Sequence, residues 1–121
     1  MPGPRQVADR YVEIATADGK AILAELFAPD GVFHAPDGSE YRGREQIAAF
    51  YARHLATVVP RFHIHRALEV GRDCWAELAN PPIDAPVLLS SNHFTVDDEG
   101  FIARLAVFLR PREGRIGDRG P

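Results

Sequence analysis

The 121-residue chain carries 45% hydrophobic and 26% charged residues, which excludes a disordered or fibrous class and suffices for one domain with one core. Its formal net charge of −3 supplies no basic footprint, which argues against nucleic acid as a partner. No apolar run approaches the roughly 20 residues of a membrane span, and the opening MPGPRQVADR has no apolar signal core, so a cytoplasmic protein is expected.

From the N-terminus, Val7, Tyr11, Ile14 and Ala15 recur at helical spacing and predict an amphipathic helix over Pro4 to Thr16. Asp18-Gly19 breaks it, and a second short helix is predicted over Lys20 to Phe27, stopped by APDG. VFHA reads as a strand, PDGSE as a turn and YRG as a brief return strand. A third helix is predicted over Arg44 to Ala56, with Ile47, Phe50, Tyr51 and Leu55 on its buried stripe. The second half changes period: RFHIHRALEV, CWAELA, VLLSSNHFTV and FIARLAVFL are extended runs separated by GRD, NPPIDAP and DDEG.

Helices first and an antiparallel meander afterwards predict an α+β fold, its N-terminal helices packed on one face of a curved, mostly antiparallel sheet. Residues 1–110 form this single domain, and 111–121 read as a polar, flexible tail. Such a sheet leaves a concave apolar pocket for a hydrophobic small molecule, and its other face calls for cover by a second copy, a homodimer. The single cysteine, Cys74, has no partner for an internal disulfide and no zinc spacing around it.

Three stretches, RYVEIATADGKAILAELFAPDGVFHAPDGSEYRGREQIAAFYARHL, SSNHFTV and GFIARLAVFL, together resemble the nuclear-transport-factor-2-like superfamily, in its ketosteroid isomerase and SnoaL-like branch. The resemblance spans roughly residues 5 to 110 and implies a cone-shaped α+β fold. It also implies a carboxylate base that takes a proton beside a ketone, and a tyrosine and a protonated aspartic acid that hold the enolate oxygen. On this sequence the tyrosine falls on Tyr11, the aspartic acid on Asn92, a supporting tyrosine on Tyr51 and the base on Ala35. The fold hosts isomerases, cyclases, dehydratases and proteins without chemistry, so activity must be read from the site.

Tyr11 lies on the buried stripe of its helix, where a phenol donates to a carbonyl oxygen or bonds locally within the core. Asn92 shares strand parity with Ser90 and Phe94, and its amide donates at every pH or bonds a neighbour in the sheet. Ala35 cannot take a proton, and His34 is turned to the opposite face. Asp37 shares the parity of Ala35 and is the candidate relocated base, although PDGS also suits a turn in which Asp bonds its own backbone. His63 and Glu77 are held in reserve, with the facing of the strand of Trp75 and Glu77 left open.

His63 and His65 form an HxH pair on one strand face with Arg61 and Ala67, but no third ligand stands at a recognisable spacing, so no metal is expected. His93 points away from Asn92, and His54 sits near a helix end, where a cation suits the dipole. Leu105, Val107 and Leu109, with Phe33 and Phe94, are expected to line the pocket beside Tyr51. No bound cofactor is implied. The expected function is binding of a hydrophobic ketone with stabilisation of its enolate, as in an isomerase or cyclase; the alternative is a non-catalytic binding homodimer of the same fold.

Overall fold

In the computed structural model, which describes residues 2–17, 20–54, 61–80 and 87–109, the first helix, α1, spans Pro4–Thr16 as predicted. Proline at its first position has no N–H to leave unpaired and holds a helical φ. The Gln6 side chain reaches back to accept from the Gly3 N–H at 3.0 Å, half of a capping box. A second free amide of the first turn, Arg5 N–H, donates to Glu69 Oε2 at 3.0 Å. That bond ties the start of the helix to a strand 64 residues away, and with Val7, Ala8, Tyr11, Ile14 and Ala15 buried it fixes which face of α1 meets the sheet.

The second predicted helix is shorter than expected. α2 covers Lys20–Leu23 and tightens into a 3-10 turn over Ala24–Leu26. Phe27 belongs instead to β1, Phe27–His34. The APDG taken as a stop therefore lies inside a strand. Proline and glycine mark an irregularity there rather than an end, since the pairing of β1 with the last strand shifts register between Phe27 and Val32. A Cβ on Gly31 would stand 2.8 Å from the Ile102 carbonyl oxygen, so glycine is what lets the two backbones approach.

β2 (Glu40–Arg42) returns antiparallel to β1, and α3 (Gly43–His54) follows with Ile47, Phe50 and Tyr51 buried. β3 (His63–Val70), β4 (Asp73–Asn80), β5 (Val87–Val96) and β6 (Ile102–Leu109) complete the described elements. The six strands form one curved sheet in the order β2-β1-β6-β5-β4-β3; β1 and β6 are parallel and every other pair is antiparallel. The α+β expectation holds. The predicted break at Asp18-Gly19, the helix end at Leu55 and Ala56, most of NPPIDAP and the 111–121 tail lie outside the described residues.

Alternation assigns the sheet faces. Cys74, Ala76 and Leu78 of β4 pair with Phe94, Asn92 and Ser90 of β5, and these in turn with Leu105, Val107 and Leu109 of β6. This inner face meets the helices, and Phe27, Phe94, Leu23, Ile47, Ile102 and Leu105 are fully buried in the core between them. The outer face carries Trp75, Glu77, His93 and Thr95, which settles the facing left open for Trp75 and Glu77. No described helix is long and apolar enough to cross a membrane.

Candidate functional site

Between α1, α3 and the inner face of the sheet lies a cavity of about 750 Å³, within the ~300–1,000 Å³ of small-molecule sites. Tyr11, Phe33, Tyr51, Asn92, Val107 and Leu109 line it, with Ala35 and Asp37. Other hollows exist, one of about 620 Å³ beside Gln6, Arg10, Glu25 and Glu99. Its mixed surface charges lack the buried, convergent donors found here.

The two phenols meet. Tyr11 and Tyr51 hydroxyls are 2.6 Å apart and buried, brought together because the stripes of α1 and α3 face each other across the core. Burial pushes Tyr11 up to about 12, against a smaller lowering by its bond to Tyr51. Burial likewise pushes Tyr51 well above the ordinary phenol value, reinforced by the neighbouring Tyr11. Both therefore remain neutral donors at any physiological pH. Two hydroxyls sharing one hydrogen bond leave one proton unspent. The phenol that accepts from its neighbour is the one able to donate onward, and accepting strengthens that donation.

Among the described residues, Asn92, 3% exposed, is the buried polar residue of the core. Its Nδ2 donates to the Ala76 carbonyl at 3.3 Å and to Ser90 Oγ at 2.9 Å. Both amide hydrogens are thus engaged, so donation to a ligand requires the amide to trade away its Ser90 partner. Phe94 and Leu105, expected on the wall, lie one layer deeper: Phe94 packs edge-on beneath Tyr11 with centroids 5.4 Å apart, and Leu105 is paired with both Phe33 and Phe94. They shape the site by holding Tyr11 and Phe33.

The reserve bases are placed elsewhere. His63 stands between Phe62, which lines the cavity, and Ile64, which packs on the core; alternation turns it to the other face. Glu77 faces outward, beside Ser91 and Arg66 in the register. The expected grouping of His63 and His65 with Ala67 also fails, because the pairing of β3 with β4 slips between Ile64 and Arg66. One extra residue, His65, sits there, which puts Ala67 on the inner face with Ala76.

Ala35 is buried at the base of the β1–β2 hairpin, bonded through its backbone to Ser39 and Gly38. Asp37 lies at the mouth, exposed, with Oδ1 accepting from the Ser39 N–H at 2.8 Å. That backbone bond, then the Ser39 hydroxyl, hold its carboxyl below the ordinary aspartate value, with a smaller contribution from the charge of His54.

Sequence reasoning passed over His54 as a helix-end cation; it lines the cavity. The missed signal was its spacing, four residues after Phe50 and three after Tyr51, which sets it on the same side of α3 although it is itself exposed. Leu78 and Phe62 were missed because strand facing was open there.

No curated protein matches the chain. Among solved structures, a protein from Catenulispora acidiphila with a ketosteroid isomerase-like fold, in complex with trimethylamine, is 21% identical, with a TM-score of 0.71 over 88% of this chain and 86% of that one. A nuclear-transport-factor-2-like protein of unknown function from Cytophaga hutchinsonii is 14% identical, with a TM-score of 0.70 over 93% and 94%. A bacterial protein with a cystatin-like fold from Silicibacter pomeroyi is 22% identical, with a TM-score of 0.71 over 92% and 78%. At these identities the likeness is one of fold. The SnoaL-like domain model matches residues 8–118, and the chain, with its helices laid on this curved sheet, belongs to the SnoaL-like family.

Proposed function

We propose that the protein binds a hydrophobic ketone in this cavity and stabilises its enolate, in an isomerisation or an aldol-type cyclisation. The observation that carries this reading is the neutral phenol pair, 2.6 Å apart, on the wall of an otherwise largely apolar hollow that also holds Asn92. In such a site a preorganised donor is worth most where negative charge develops on oxygen. The Tyr11–Tyr51 pair supplies the principal donor, and Asn92 the second once it releases Ser90. Neither step calls on a cofactor.

The test is titration with a phenolic enolate mimic, following its ionisation on binding, in the wild type and in Tyr11→Phe and Asn92→Leu. The mimic should bind as its anion, with affinity falling about 10–100-fold in Tyr11→Phe and less in Asn92→Leu. Equal binding by all three proteins refutes the reading.

A second reading, a non-catalytic pocket, is favoured by the Ala35 methyl where the resemblance implies a base and by the prior engagement of both Asn92 amide hydrogens. It predicts tight mimic binding with no conversion of any β,γ-unsaturated ketone. Under either reading the outer face, with Leu68 61% and Trp75 43% exposed, suits a second copy of the chain; sedimentation of Trp75→Glu as a monomer beside a wild-type dimer would support this.

A further inference from the structure

The geometry points to His54 as the proton acceptor of this site, replacing the carboxylate that Ala35 does not supply. The inference rests on the enolate reading above and goes beyond it by naming the base. His54 Nδ1 lies 2.9 Å from the Phe50 carbonyl oxygen. A carbonyl only accepts, so Nδ1 carries the hydrogen and the lone pair of the neutral ring belongs to Nε2. Stacking of the imidazole on the Phe50 ring, 4.0 Å between centroids and 27° between planes, fixes its orientation from the other side. Among the described residues Nε2 has no hydrogen-bond partner. The ring is thus a base of defined tautomer at the exposed mouth of the cavity that holds Tyr11 and Tyr51, one helical turn beyond Tyr51.

Asp37 is the weaker candidate. Its carboxylate is committed to the Ser39 amide in the hairpin turn. Both it and His54 line the cavity, and the attraction between the two is the smallest of the effects on the Asp37 carboxyl.

The step balances without an oxidant or reductant. The Nε2 lone pair takes a proton from the carbon beside the ketone, and the C–H electron pair becomes the enolate double bond. The carbonyl π pair moves to the oxygen held by the phenol pair. Nε2–H then returns the proton at the γ-carbon, which restores the carbonyl and conjugates it with the shifted double bond.

The experiment follows turnover of a β,γ-unsaturated ketosteroid and binding of the phenolic mimic in wild type, His54→Gln, His54→Ala and Asp37→Asn. The expected result is a fall in kcat of about 10²-fold or more in His54→Gln, with mimic affinity changed far less than kcat and a cooperative unfolding transition retained. Added imidazole should restore part of the rate in His54→Ala, and Asp37→Asn should lose less than either His54 variant. A wild-type rate preserved in His54→Gln, or abolished only in Asp37→Asn, overturns the assignment. Mimic binding without any wild-type turnover also overturns it while leaving the donor reading intact. Failure of the mimic to bind refutes both.

Discussion

The inner and outer faces of the sheet are built from the same strands, one residue apart, and hold opposite kinds of polar group. Inside, the polar groups that reach the cavity floor are neutral: two phenols and a carboxamide. Outside, Asp73 Oδ1 accepts from His93 Nε2 at 2.8 Å and from Thr95 Oγ1 at 2.7 Å. Arg104 approaches His93 Nδ1 at 3.4 Å, and Trp75 stacks on the same imidazole with centroids 4.3 Å apart. The difference follows from solvation. A charge on the inner face would lose its water without a partner, whereas the outer network keeps part of its hydration. Among the described residues that line the cavity, the titratable groups besides the phenols are His54 and Asp37, both exposed at its mouth. The floor is therefore suited to donating hydrogen bonds, and proton transfer has to come from the rim.

Substitutions on the two faces can sharpen or break this contrast. Phe94→Ala empties a fully buried site under Tyr11 and should lower stability by about 3–5 kcal/mol in chemical denaturation; a loss below about 1 kcal/mol would mean that the inner face is not the tight core described. Tyr51→Phe leaves the Tyr11 hydroxyl without its 2.6 Å partner and should cost about 1–3 kcal/mol, along with weaker binding of the mimic. Trp75→Ser, one residue from the core on the outer face, should change monomer stability by less than about 1 kcal/mol and show itself in association instead.

The smallest effect is expected from Asp73→Asn. Hydrogen bonds from Thr95, then His93, hold the Asp73 carboxyl below the ordinary value of 3.8. A lowered folded-state pKa gives stability that is complete above the unfolded value and is lost as pH falls through the folded one. The wild type should therefore lose this increment only below about pH 3.8, and the variant should lack it throughout. With Asp73 partly exposed, solvent screens these bonds and the increment is small. Identical acid-unfolding curves for the two proteins would show that the outer network contributes nothing to folding.

Much of this molecule was legible in one dimension because its signals are periodic. Helical spacing gave α1 to the residue, and placed Tyr11 and Tyr51 on buried stripes. The long apolar runs gave β3 to β6, and alternation put Asn92 and Phe94 on one face. Signals that depend on a partner were unreadable. Pro29 and Gly31 look like a terminator until β6 lies alongside and turns them into a bulge. The slip at His65 exists only in the pairing with β4, and it undoes the HxH grouping. Phe94 and Leu105 have the parity of cavity residues, yet the helices bury them, and pattern cannot separate the wall from the layer behind it.

The chain by itself determined an α+β fold, the inward-facing residues of α1, α3 and β5 and the absence of a carboxylate at position 35, because periodicity and residue identity are local properties. Tertiary structure alone decided that the two phenols touch, that both amide hydrogens of Asn92 are engaged, and that His54 reaches the cavity with its tautomer set by Phe50. Each of these depends on distances between side-chain and backbone groups that residue order does not set, and hydrogen bonding acts only over about 3 Å.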